Sequence, residues 1–284
     1  MVTGTKERIR VALVYPDLLG TYGDSGNAQV LAVRARMHGL QADLIAVGSD
    51  DRIPDDADVY VIGGGEDGPQ QAAVAAAKRD GALERALEGG AQLVAICAGM
   101  QILGQAFSTA DAPIVEGLGL LPLVTRRTTL PRAVGELLVK SGPSTGAGLV
   151  TGYENHGGQT ELLEGDPLGT VLAGVGNRYE ERVDGYLSDR VLASYCHGPL
   201  LARNPALADL VLGRIPEVRL APLAFEPWTA SIEEMRSERI AAARVARRRQ
   251  EAKEAASGAM EAARHWAGAI RSWARSSDGR SRAL

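Results

Sequence analysis

The chain has 284 residues, enough for one large domain or a domain with an appendage. Its 45% hydrophobic and 23% charged residues are ordinary for a globular protein, and a net charge of −4 argues against nucleic acid as a partner. Two cysteines make no disulfide framework, no apolar run reaches the ~18 residues that span a bilayer, and residues 1–10 lack a signal-like apolar segment, so a reducing, cytoplasmic setting is expected.

The charge is unevenly placed. Residues 231–284 carry twelve Arg or Lys against seven Asp or Glu, while residues 1–230 hold a net −9. The shift puts a boundary near Pro216–Pro227, with a core domain over 1–215 and a linker plus basic helical extension over 216–284.

Ile9-Arg-Val-Ala-Leu-Val-Tyr15 reads as a buried strand ended by Pro16. A loop of turn formers follows, Asp17 to Gly26, and then a helix from Asn27 to His38 closed by Gly39. Asp43–Val47 and Val59–Ile62 are the next strands, the second running into Gly63-Gly-Gly65. A helical stretch spans Gln70–Leu87, Leu93–Ile96 is a fourth strand, and a helix runs from Ala98 to Ala106. Strand and helix alternate, which predicts an α/β fold with a doubly wound, flavodoxin-like, mostly parallel sheet. From Gly117 to Val191 the texture changes to short β-prone runs between glycine turns. Val191–Tyr195 is a buried strand, and Pro205–Leu212 a final core helix with proline at its tolerated first position. In the tail, Trp266, Ile270 and Trp273 fall on one helical face. That face is expected to be a solvated extension, or at most a weak contact with a membrane surface or partner.

Cys97 stands where an apolar strand gives way to Ala98-Gly99 and a helix start. A thiol at such an elbow is exposed as a nucleophile and needs small neighbours, here Ala95 and Gly99. His197 ends the last buried strand before the forced loop Gly198-Pro199, and it is the candidate base. His156, in Tyr153-Glu-Asn-His-Gly-Gly158, is the rival. Cys196 points to the opposite face from His197 and reads as core. His38 and His265 read as surface residues. The glycine turn 63–65 lacks the spacing of a dinucleotide fingerprint and the Lys-Ser/Thr pair of a P-loop. It serves either as a tight turn or as a backbone oxyanion pocket.

Gly63-Gly-Gly65, Cys97-Ala-Gly-Met-Gln101, Tyr153-Glu-Asn-His-Gly-Gly158 and Tyr195-Cys-His-Gly-Pro199 together resemble the class I glutamine amidotransferases. The loop Tyr15–Asn27 and the Tyr153–Gly158 block narrow the resemblance to GatD-type glutaminase subunits of lipid II isoglutaminyl synthases, relatives of the glutaminase domains of cobyric acid synthases. The likeness covers about residues 9–213. It implies that Cys97 attacks the glutamine side-chain amide with His197 as base. It also implies that Gly64 or Gly65 and Ala98 supply the oxyanion amides and that Gln101 lies near the bound amide. Arg132, with Arg126 and Arg127 behind it, matches the arginine that holds the substrate carboxylate. No metal or cofactor is implied here. ATP and Mg²⁺ would act on a Mur-ligase-like, MurT-type partner in a heterodimer, which amidates the D-glutamate α-carboxyl of lipid II at the inner membrane face.

Two positions depart from the family pattern: Ala95 replaces a glycine, and Pro199 occupies the site of the usual triad acid. The expectation drawn from Pro199 is that the partner ligase supplies the orienting acid, with Asp184 or Glu154 as weaker substitutes within the chain. The alternatives are amidation of cobyrinic acid, a non-catalytic small-anion binder on the same fold, and a cysteine peptidase on the related scaffold.

Overall fold

A computed structural model describes residues 5–79, 81–112, 114–223 and 228–252. The first part alternates as anticipated: β1 (Arg8–Val14), α1 (Gly26–Met37), β2 (Gln41–Val47), β3 (Val59–Ile62), α2 (Asp67–Ala77), α3 (Ala82–Glu88), β4 (Gln92–Ile96) and α4 (Ala98–Leu103). The middle holds β5 (Ala106–Phe107), β6 (Val115–Glu116), β7 (Leu123–Arg127), β8 (Ala133–Ser141), β9 (Leu149–His156), β10 (Gly158–Leu162), β11 (Gly169–Ala173) and β12 (Val183–Asp184). The chain then returns through β13 (Tyr186–Leu187), β14 (Val191–Ser194), α5 (Leu200–Arg203) and α6 (Pro205–Gly213).

The main sheet has the order β2-β1-β3-β4-β14-β13. Its first five strands are parallel, and β13 pairs antiparallel with β14 at one edge. Every residue of β3, β4 and β14 is buried, as strands covered on both faces must be, which explains their unbroken apolar runs. Because β1 lies between β2 and β3, the loops after β1 and β3 open a crevice at the carboxyl ends of the strands. The β-rich middle forms two four-stranded sheets, β10-β7-β5-β6 and β12-β11-β8-β9.

The differences from the expected elements are local. The single helix over Gln70–Leu87 is two, broken before Gly81, whose φ of 61° places it in the left-handed region. The helix after Cys97 stops at Leu103, and Gly104 follows in extended conformation. A Cβ at Gly104 would lie 2.7 Å from the carbonyl oxygen of Leu123, so the chain needs glycine to turn there. The short α5 was not anticipated.

The first compact unit runs to Ala243 rather than ending at 215. Residues 229–243 are helical, and Arg236 donates to the carbonyls of Arg203 and Leu149 and to Oδ1 of Asn204. His38 is buried rather than on the surface: its ring bonds the Ala221 carbonyl (2.6 Å) and Asp209 (3.1 Å), which Arg34 also holds. The second unit, 244–284, is helical over 244–252. His265 and the Trp266, Ile270 and Trp273 face lie outside the described residues. Among the described residues no helix is long and apolar enough to cross a membrane.

Candidate active site

Cys97 sits between β4 and α4 with φ 51° and ψ −107°, a conformation that costs a non-glycine residue strain. The surroundings hold it there. Its N–H donates to the Ser194 carbonyl (2.9 Å), and its own carbonyl accepts from Gln101 N–H (3.1 Å). Gly99 lets the elbow press against β3, for a Cβ there would lie 2.6 Å from the Ile62 carbonyl oxygen. Ala95 is accommodated within the sheet, fully buried.

His197 follows β14 and pairs through its backbone with Tyr153. It is almost fully buried, and its Nδ1 lies 2.8 Å from Oδ2 of Asp24. A carboxylate only accepts, so this bond places the proton on Nδ1 and turns Nε2 outward as the reactive nitrogen. Nε2 is buried without a hydrogen-bond partner of ordinary geometry, and Cys97 lies beside the ring. Burial alone would pull the imidazole pKa down. The hydrogen bond from His197 to Asp24, then its interactions with Cys97 and the Asp24 charge, raise it to about 10. This strong affinity for a proton beside a thiol suits the ring to draw off the Cys97 proton, as in other cysteine–histidine nucleophiles.

Asp24 corrects the expectation of an acid from a partner. Pro199 is indeed no acid, but the orienting carboxylate comes from the loop after β1, 173 residues away in sequence. The loop is pinned at both ends. Thr21 pairs with Gly64, and Asn27 donates from both its backbone and its side chain to the Asp24 carbonyl (3.0 Å each). Asn27 Oδ1 also accepts from Leu201 N–H at 2.9 Å. The ring of Tyr22 lies over His197 at 4.8 Å. The two weaker substitutes are engaged elsewhere. Asp184 accepts from the Ser194 hydroxyl and the Tyr195 N–H, and its burial lifts its pKa to about 6. Glu154 accepts from His156 and from the amides of Val175 and Gly176.

The glycine turn divides its labour. Gly64 donates its N–H to Asp24 Oδ2 at 2.9 Å, so its amide is committed to the acid and is not an oxyanion donor. Glycine is required there because a Cβ would lie 2.7 Å from Cε1 of His197. The amides of Gly65 and Ala98 make no hydrogen bond among the described residues and remain the oxyanion candidates.

One cavity is lined by Gly65, Glu66, Asp67, Gln70, Cys97, Gln101, Ser108, Arg127, Arg132 and Asn155–Gly158. Gln101 is buried; its Oε1 accepts from Gln70 (2.6 Å) and its Nε2 donates to the Tyr195 hydroxyl (3.0 Å). Arg132 donates through Nε and one Nη to Asn155 and has no carboxylate partner among the described residues. Arg127 also reaches the cavity but is paired with Asp67 (2.9 Å), whereas Arg126 pairs with Glu161 and does not line it. His156 lines the wall, yet its nitrogens face Glu154 (3.3 Å) and the Gly158 carbonyl (3.0 Å). Cys196 is fully buried, and burial pushes its thiol pKa up, as an inert core residue requires.

Residues 10–205 match the CobB/CobQ-like glutamine amidotransferase domain. The chain belongs to this family. This glutamine amidotransferase is 34% identical over 213 residues to the GatD subunit of the glutamine-hydrolysing lipid II isoglutaminyl synthase of Staphylococcus aureus (strain N315), covering 74% of this chain and 85% of that one. It is 33% identical to the corresponding subunit of Streptococcus pneumoniae (strain ATCC BAA-255 / R6), covering 71% and 78%. A solved glutamine amidotransferase structure shares the fold with a TM-score of 0.50 at 19% identity, covering 72% of this chain and 98% of the other. Among the described residues of the amidotransferase no group of three or more His, Cys, Asp or Glu is gathered to hold a metal.

Proposed function

We propose that this amidotransferase is the glutaminase subunit of a lipid II isoglutaminyl synthase. The observation that carries the reading is its likeness to two such subunits over 85% and 78% of their length. Glutamine enters the cavity with its α-carboxylate on Arg132 and its side-chain amide beside Cys97. His197 takes the Cys97 thiol proton as the sulfur attacks the amide carbon, and the oxyanion is met by the amides of Gly65 and Ala98. His197, held by Asp24, delivers its proton to the departing nitrogen, and ammonia leaves. Water, deprotonated by the now neutral His197, hydrolyses the thioester to glutamate and restores the thiol site. Gln101, fixed between Gln70 and Tyr195, shapes the wall beside the amide.

The ammonia passes to a Mur-ligase-like partner of the MurT type. ATP and Mg²⁺ act on that partner, which activates the D-glutamate α-carboxyl of lipid II and yields D-isoglutamine. The site works at the cytoplasmic face of the membrane because the acceptor is lipid-linked. The test is reconstitution of the chain with such a ligase, lipid II, ATP and glutamine. Conversion to D-isoglutamine that is lost in Cys97→Ala and restored by ammonium chloride supports the reading. Glutamine-driven amidation that survives Cys97→Ala contradicts it.

A further inference from the structure

The family match ends at residue 205, yet the catalytic pair has a support beyond it. The helical residues 229–243 belong to the same compact unit, and Arg236 lies half-buried on that helix. Its guanidinium donates to three neutral oxygens: the carbonyls of Arg203 (2.8 Å) and Leu149 (2.6 Å) and Oδ1 of Asn204 (2.6 Å). Asn204 is almost fully buried and spends its other bonds on the Leu200 carbonyl and on both backbone groups of Thr151. Arg236 and Asn204 therefore tie the end of α5 to the start of β9.

Each of these two elements leads to one member of the catalytic pair. Along β9, Tyr153 exchanges both backbone hydrogen bonds with His197, at 2.8 and 3.2 Å. From α5, Leu201 N–H donates to Asn27 Oδ1 (2.9 Å), and Asn27 Nδ2 donates to the Asp24 carbonyl (3.0 Å). A second tie runs beside the first. Arg239 and Arg203 share Glu136 (3.2 and 3.4 Å), and Arg203 Nε donates to the carbonyl of Gly198, the residue after His197. Holding a guanidinium partly out of water against neutral oxygens costs desolvation, and apolar packing would anchor the helix without that cost. The planar fork of donors adds direction, because it fixes three oxygens of two elements at once.

We propose that Arg236 is a positioning residue: it locks α5 against β9 and so keeps Asp24 in register with His197. The inference rests on these two residues handling the proton in the glutaminase reading, and it gives the helix beyond the family match a part in the reaction. Loss of the guanidinium frees three oxygens together and lets α5 drift from β9. The Asp24–His197 bond then loosens although neither residue has changed.

Two rates are measured on the full chain and its Arg236→Gln, Arg236→Lys and Ile240→Ala variants. One is ammonia release from glutamine across pH. The other is alkylation of Cys97 by iodoacetamide, which needs no substrate; Cys196 is fully buried, so labelling reports Cys97. Ile240 packs the same helix against the cluster of Leu138 and Ala173, and its truncation loosens the helix while leaving the guanidinium in place. In Arg236→Gln, kcat falls roughly tenfold with KM within about twofold, the scale of a small misplacement of catalytic groups. The alkaline limb of kcat moves to lower pH, and alkylation at pH 7 slows roughly three- to tenfold as the imidazole loses its hold on the thiol proton. Arg236→Lys recovers part of each. Ile240→Ala lowers the melting temperature and keeps the wild-type kcat and pH profile. A folded Arg236→Gln chain with wild-type kcat and alkylation overturns the proposal. An equal kcat loss in Ile240→Ala also overturns it, because it marks general loosening. If Arg236→Gln does not fold, Arg236→Lys is judged against the same outcomes. If wild type is alkylated at Cys97 but releases no ammonia, the glutaminase reading fails, and the alkylation comparison still decides the role of Arg236.

Discussion

Two buried histidine–carboxylate pairs lie near the same cavity and differ in how many of their polar atoms are left free. His197 and Asp24 meet at 2.8 Å, and His156 and Glu154 at 3.3 Å. In the second pair every polar group is occupied: the other ring nitrogen faces the Gly158 carbonyl, Glu154 accepts two backbone amides, and the ring stacks on Tyr195 at 3.8 Å. In the first pair His197 Nε2 and Asp24 Oδ1 have no ordinary partner, and Cys97 is the neighbour of Nε2. A saturated pair holds structure. A pair with one open nitrogen beside a thiol can move a proton. Burial and an acid partner do not by themselves distinguish a catalytic histidine from a structural one.

The largest loss is expected at the nucleophile. Cys97→Ala is expected to lower glutamine hydrolysis by about 10⁴-fold or more while leaving the fold intact, measured by ammonia release and thermal unfolding. Asp24→Asn comes next, at about 10²- to 10⁴-fold in kcat, because the amide cannot hold the imidazolium or fix its tautomer. It removes the largest influence that raises the His197 pKa, so the alkaline limb of the rate profile should move to lower pH. In contrast, His156→Gln is expected to cost stability, about 2–3 kcal/mol, by leaving Glu154 without its ring partner, with kcat changed less than tenfold. Equal losses of kcat in Asp24→Asn and His156→Gln would erase the distinction.

A pH titration of stability sharpens the same contrast. The folded-state pKa of His197 is raised from 6.5 to about 10. Its protonated ring therefore stabilises the fold fully below about pH 6.5, and that contribution is lost as pH rises through 10. Denaturant unfolding of wild type should weaken over this window, and His197→Gln should show a flatter profile. The smallest effect is expected at Tyr22. Its hydroxyl accepts from Asn155, which holds Arg132, while its ring covers His197. Tyr22→Phe keeps the ring and loses only the link, so KM should rise about two- to fivefold with kcat unchanged.

The parallel sheet was legible because its central strands are largely apolar runs, and the Cys97 elbow because small residues surround a thiol at a strand tip. Asp24 was not legible. It lies in a loop whose composition, Thr21-Tyr-Gly-Asp-Ser-Gly26, signals only turns, and its partner is 173 residues away. Only the strand order, with β1 beside β3, brings that loop to the imidazole. Reading Pro199 as a missing acid assumed that the acid must be local to the histidine. The commitment of the Gly64 amide was hidden for the same reason, since its acceptor is Asp24. The break before Gly81 was hidden by the alanine-rich sequence on its N-terminal side, which supports helix without marking its end.

This chain carries its own orienting acid, Asp24. Ammonia release from glutamine by the purified chain, with no other subunit present, compared between wild type and Asp24→Asn, tests it most directly. Measurable turnover is expected in wild type, with a drop of at least about 10²-fold in the variant. Wild-type turnover in Asp24→Asn, or activity that appears only when a second chain supplies a carboxylate, would contradict it.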